Sequence, residues 1–147
     1  IVETTTEVLD LEICSLGSTT WSREDLQKGI EPDECYYINN EAIVRGKLDF
    51  DLNIDPPPDL ALEIDITSSS LDRLSIYASL GIGEVWQFDG KDLFIYVLEN
   101  EVYQLYDRSN ILSILAKKDI LRFLQKRQEM GENALLKEFR QWLENKK

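Results

Sequence analysis

Pro56-Pro57-Pro58-Asp59-Leu60-Ala61-Leu62-Glu63-Ile64-Asp65-Ile66-Thr67 is a proline run followed by an alternation of side-chain types. Successive residues of a strand point to opposite faces, so Asp59, Ala61, Glu63 and Asp65 share one side and Leu60, Leu62, Ile64 and Ile66 the other. The pattern predicts a strand with one acidic face and one face packed into a core. Carboxylates spaced ~7 Å apart along one face repel one another. Solvent or a divalent cation relieves that repulsion, and a hard-metal site of the magnesium type is the leading expectation.

Downstream, Thr67-Ser68-Ser69-Ser70 offers helix N-caps, and Leu71, Leu74, Tyr77, Ala78 and Leu80 recur at helical spacing until Gly81. Glu84 to Asp89 reads as a strand, Gly90-Lys91 as a turn and Asp92 to Leu98 as the hairpin partner. A further strand follows at Val102 to Tyr106. Strand, helix and strand between Leu60 and Phe88 predict a parallel pair joined by a right-handed crossover. The tail, 119–147, reads as a helical segment: Asp119 caps a helix through Met130, Gly131 breaks it, and Leu135, Leu136, Phe139, Trp142 and Leu143 form an amphipathic last helix docked through Trp142.

Upstream, Glu7 to Ser15 reads as a strand, Ser22 to Gly29 as a turn or helical loop, and Glu31 to Ile38 as a strand. Glu41 to Asp55 reads mostly as connection, with an irregular strand at Leu48, Phe50 and Leu52. The order is mixed α/β, in one domain over 1–147. Ile1 is not an initiator methionine, so the sequence is read as lacking some N-terminal residues.

Composition narrows the chemistry. With no histidine among 147 residues, imidazole-based hydrolysis, imidazole zinc sites and histidine acid/base catalysis are excluded. A formal charge of −12 argues against a general nucleic-acid coat, though not against a local basic groove. No apolar run reaches the ~18 residues that cross a bilayer, no signal-peptide pattern is present, and the chain reads as cytoplasmic. Cys14 and Cys35 read as reduced thiols.

Several ordered motifs carry a family resemblance: Gly17-Ser18-Thr19-Thr20, Glu31-Pro32-Asp33-Glu34-Cys35-Tyr36-Tyr37-Ile38, Val44-Arg45-Gly46-Lys47, the Pro56 to Thr67 stretch, Leu74-Ser75-Ile76-Tyr77, and Leu80-Gly81-Ile82-Gly83-Glu84-Val85-Trp86. From about Leu11 onward the chain resembles the Uma family of restriction-endonuclease-like proteins, widespread in cyanobacteria, within the PD-(D/E)XK nuclease superfamily. The resemblance implies a restriction-endonuclease-like core, a central mixed sheet flanked by helices. It also implies a metal-dependent endonuclease that cleaves DNA with metal-activated water and acts as a homodimer. Asp33 of the Pro32-Asp33 pair and Glu63 then fall on the two metal-ligand positions, with the Ile64 carbonyl beside them, a donor set suited to Mg²⁺ or Mn²⁺.

Asp65 departs from the pattern, since it stands where the superfamily places a lysine. It is read either as a third metal ligand or as a hydrogen-bond acceptor behind the ligands. Arg73 on the following helix and Lys47 are the candidate replacements for the missing cation, Arg73 being equally able to neutralise Asp65 or Asp72. Tyr77 is expected to bury its ring with its hydroxyl near the site, Asp59 to be a solvated cap, and Lys117, Lys118, Arg122, Lys126 and Arg127 to form a solvated helical face. Two alternatives remain: a catalytically degenerate nuclease fold serving as a binding or assembly module, and an acidic partner for a basic surface.

Overall fold

The computed structural model of the chain describes residues 1–23, 29–64 and 70–147. Six strands form one sheet: β1 (Cys14–Ser15), β2 (Glu34–Tyr37), β3 (Leu60–Ile64), β4 (Glu84–Phe88), β5 (Leu93–Glu99) and β6 (Val102–Tyr106), side by side in chain order. The β3–β4 pair is parallel, in register from Leu60 opposite Glu84 to Ile64 opposite Phe88; its neighbours pair antiparallel. The parallel pair expected from the strand, helix and strand pattern is present, with α3 (Ser70–Leu80) as its connection. Gly81 ends α3 at φ +82°, a conformation that costs a residue without Cβ least.

Both faces of the sheet are covered. On one, Leu60, Trp86, Ile95 and Val97 pack against α1 (Val2–Val8), α4 (Lys117–Lys126) and α5 (Glu132–Lys146). On the other, Cys35, Tyr37, Ala61 and Val85 pack against Leu74, Tyr77 and Leu80 of α3. Burying a leucine such as Leu74 or Leu80 stabilises by about 1.5–3 kcal/mol, so α3 is held mainly by that apolar stripe. The acidic face expected on β3 is covered by α3, so that its charge is offset by side chains of that helix rather than by solvent, and Glu63 is 4% exposed. Ile64, expected in the core, is instead 54% exposed at the strand's end.

The N-terminal strand expected from Glu7 is replaced by helix α1 with only Cys14–Ser15 extended beyond it. β-Branched threonines favour strands in isolation, but here Thr5 Oγ1 donates to the Ile1 carbonyl at 2.7 Å and Thr6 Oγ1 to the Glu3 carbonyl at 2.8 Å. Val2 and Val8 are buried in the core that α5 also joins, and that packing overrides propensity. The Glu41 to Asp55 connection holds a short helix, α2 (Glu41–Val44), and no strand; Leu48 is 94% exposed, whereas Phe50 stacks on Tyr37. Helix α4 begins two residues before Asp119, which lies buried in its first turn facing Lys146 at 3.3 Å rather than capping it. The amphipathic last helix is as expected, with Trp142 stacked on Phe139 and tilted against Phe123.

Asp59 is buried, which corrects its expected solvated role. Its carboxylate accepts the Ile38 N–H at 2.7 Å, the Asn40 N–H at 3.0 Å and Asn40 Nδ2 at 3.1 Å, tying the end of β2 to the start of β3. The two cysteines are free, and burial pushes the Cys35 thiol up to about 11, an unreactive thiol at neutral pH.

Glu84, 1% exposed, is a second clasp: it accepts Trp86 Nε1 at 3.0 Å, Ser109 Oγ at 2.6 Å and the Asn110 N–H at 2.7 Å. Glu84→Ala strands three donors that the fold has removed from water. A loss of about 3 kcal/mol in urea unfolding is expected, and a loss below about 1 kcal/mol would show that water replaces the carboxylate at little cost.

Candidate active site at the end of the third strand

A carboxylate in the middle of a sheet needs partners that offset its lost hydration. For Glu63 they come from α3, ten and fourteen residues on. Arg73 Nε donates to both Glu63 oxygens, at 2.7 and 2.9 Å, and its terminal nitrogen also binds Oε1. Tyr77, fully buried, donates its hydroxyl to the same Oε1. Helical spacing of four brings Arg73 and Tyr77 onto one side of α3, above the Glu63 side of β3. Arg73 also donates to the Glu31 carbonyl at 3.2 Å, so it bridges β3 to the segment that leads into Asp33.

Asp33 reaches the same strand end by another route. Its N–H donates to the Leu62 carbonyl at 3.1 Å and its Oδ2 accepts the Ile64 N–H at 2.6 Å. The two acids singled out in the sequence thus meet across Leu62 to Ile64, one buried and one at the open edge. All donors there are oxygens, from two carboxylates and peptide carbonyls, which fits a hard cation of the magnesium type and not zinc. Among the described residues no group of three acids or cysteines forms a preassembled metal cluster, and Asp65 lies outside the described residues.

The remaining candidates separate. Lys47 is salt-bridged to Asp55, whose carboxyl is held below the usual range by the Asp51 N–H and then by Lys47 itself. No contact from Lys47 to Asp33 or Glu63 is found among the described residues. Arg73 pairs with Glu63, and that bond holds its proton more tightly still.

Two residues near the site were not among the expected site residues, Arg127 being expected only on a solvated helical face. Gln87 is the register partner of Glu63 on β4 and 2% exposed. Arg127 places its guanidinium 5.3 Å from the Phe88 ring centroid, and Phe88 is the register partner of Ile64. Arg122 lies 3.8 Å from Asp119 and Lys126 is paired with Glu138, so the basic run of α4 is partly neutralised rather than a free solvated face. A helical amphipathicity count cannot reveal which strand end Arg127 will meet. Gln87 is visible in the sequence as a polar residue between Trp86 and Phe88.

This arrangement, a mixed sheet with one acid near the end of β3 and a second just before its antiparallel neighbour β2, accompanies a nuclease-type fold. The chain belongs to the Uma2 family, described as putative restriction endonuclease, whose model matches residues 3–125. Among solved structures it is similar to a putative nuclease belonging to DUF820 from Anabaena variabilis ATCC 29413, at 18% identity and TM-score 0.54, covering 84% of this chain and 76% of that one. No curated protein matches the chain. No described helix is long and apolar enough to cross a membrane.

Arg73→Met leaves Glu63 buried without its cation. Because the guanidinium is 37% exposed and partly screened, the expected loss is about 2 kcal/mol in urea unfolding rather than the 3–5 of a wholly enclosed pair. An unchanged midpoint would show that Tyr77 alone satisfies Glu63.

Burial, and then the bond to Glu63, push the Tyr77 hydroxyl well above an ordinary tyrosine. A folded-state pKa above the unfolded value of ~10 gives stability that is complete at neutral pH and is lost as pH rises beyond that value. Between about pH 8 and about pH 10.5 the parent should therefore lose more stability than Tyr77→Phe in urea melts. Parallel losses would refute the assignment.

Proposed function

We propose that the chain is a metal-dependent endonuclease of the Uma2 family that hydrolyses phosphodiester bonds in DNA, with Asp33 and Glu63 as the metal-holding carboxylates. The observation that carries this reading is the convergence of both acids on the last residues of β3, with Asp33 Oδ2 on the Ile64 N–H and Glu63 one residue before it. Asp33, Glu63 and the Ile64 carbonyl would hold Mg²⁺ or Mn²⁺, which supplies activation of water and neutralisation of charge on the phosphate.

The chain's own part follows from its pairings. Glu63 is committed to Arg73, so the loaded site requires that the guanidinium leave the carboxylate. Arginine stays protonated and binds phosphate oxygens in bidentate fashion, so Arg73 then becomes the cation that the absent lysine would supply at the scissile phosphate. It cannot act as a base. Tyr77 keeps Glu63 Oε1 fixed through the exchange. Arg127, beside Phe88 and with no carboxylate partner among the described residues, provides positive charge for a flanking phosphate.

The closed Glu63–Arg73 pair favours a second reading, a degenerate scaffold in which the ion pair is permanent and the fold serves as a binding module. Calorimetric titration with Mn²⁺ of the chain, Asp33→Ala and Glu63→Gln, with plasmid nicking alongside, separates the two. The nuclease reading expects binding by the parent, at least a tenfold weaker affinity in each variant, and parallel loss of nicking. Absence of Mn²⁺ binding and nicking in the folded parent would transfer the assignment to the scaffold.

A further inference from the structure

Two buried side-chain donors have no hydrogen-bond partner among the described residues, Trp21 Nε1 and Gln87 Nε2. Trp21 belongs to an aromatic cluster with Tyr37 and Phe50, where its ring supplies the packing. Gln87 has no such explanation. Its neighbours along β4 are Trp86 and Phe88, it pairs with Phe94 on β5, and a leucine or methionine would fill its place without an orphaned amide. An unsatisfied buried donor costs about 1–3 kcal/mol, and a group left in that state calls for a role outside the resting fold.

The register identifies what the amide is near. Gln87 stands directly opposite Glu63 in the parallel β3–β4 ladder, and paired residues of neighbouring strands project to the same face about 5 Å apart. In the resting structure Glu63 takes its donors from Arg73 and Tyr77, three of them on Oε1 and one on Oε2, and Gln87 is not among them. Once Arg73 turns away, Glu63 loses its strongest donor and keeps only Tyr77 of its present partners to orient it.

We infer that Gln87 is the positioning residue of the loaded site, donating its Nε2–H to the Glu63 carboxylate when Arg73 transfers to phosphate. Its neutrality is the decisive property. A cationic donor left on Glu63 would compete with a bound metal for the carboxylate's negative charge, whereas an amide fixes the orientation of the carboxylate and leaves that charge intact. The resting state stores the cost as an unsatisfied amide, and the exchange at Glu63 releases it. This inference rests on the metal-binding reading above and goes beyond it, because it assigns the group that replaces Arg73.

The test is Mn²⁺ calorimetry and metal-free thermal unfolding on Gln87→Met and Gln87→Leu, two volume-conserving changes of which either suffices if the other fails to fold. The expected result has opposite signs: metal-free stability equal to or above that of the parent, with Mn²⁺ affinity about tenfold weaker, the size typical for a group that orients a metal ligand. A residue that merely fills the core would raise stability and leave Mn²⁺ affinity unchanged, and that result overturns the inference while the metal reading stands. A parent chain that binds no Mn²⁺ overturns both.

Discussion

The ion pair between Glu63 and Arg73 is the constraint on which the architecture turns. A carboxylate cannot remain charged between a sheet and a helix without a close donor of opposite charge, and the guanidinium meets that need with hydrogen bonds to both oxygens. Because Arg73 is on the crossover helix and Glu63 on the first strand of the parallel pair, their bond fixes the rotation of α3 over β3. Tyr77, one turn further, shares the same oxygen and reinforces that rotation.

Buried acids in this strongly acidic chain fall into two kinds. Glu41, Asp55, Glu63 and Asp119 each face a lysine or arginine. Asp59 and Glu84 are held only by neutral donors, backbone N–H groups and the side chains of Asn40, Trp86 and Ser109. Several fixed dipoles around one carboxylate make a permanent clasp, and both such sites join a loop to a strand. A flexible cation on a partly exposed stem can exchange its partner. Glu63, whose cation lies 37% open to solvent at the strand ends where Asp33 also arrives, is the acid among them suited to changing ligands.

The chain belongs to the Uma2 family and has a nuclease-type fold. The antiparallel pairing of β2 with β3 brings the two carboxylates together, and elements on opposite faces of the sheet contribute Arg73 and Arg127. Gln87 stands opposite Glu63 in the register of β3 and β4. Local positive charge at one strand edge is compatible with a net charge of −12, because most of the acids are elsewhere or already paired.

The parallel pair, the hairpins after it and the last helix were legible before folding, since alternation of period two, glycine turns and a 3.6-residue apolar stripe are local signals. The alternation around Glu63 also singled out that acid, while Asp33 was marked by the family resemblance of its Pro32-Asp33 pair. Tertiary structure alone decided that the β-branched Val2–Val8 segment is a helix, because its stability comes from burial in a core shared with α5 at the far end of the chain. It decided, too, that the acidic face of β3 is covered, that Asp59 is a clasp, and that Lys47 belongs to Asp55. Residue types at a given spacing specify which side chains share a face. Which partner each buried charge finds depends on what another segment places within hydrogen-bond reach, and only the packed chain sets that distance.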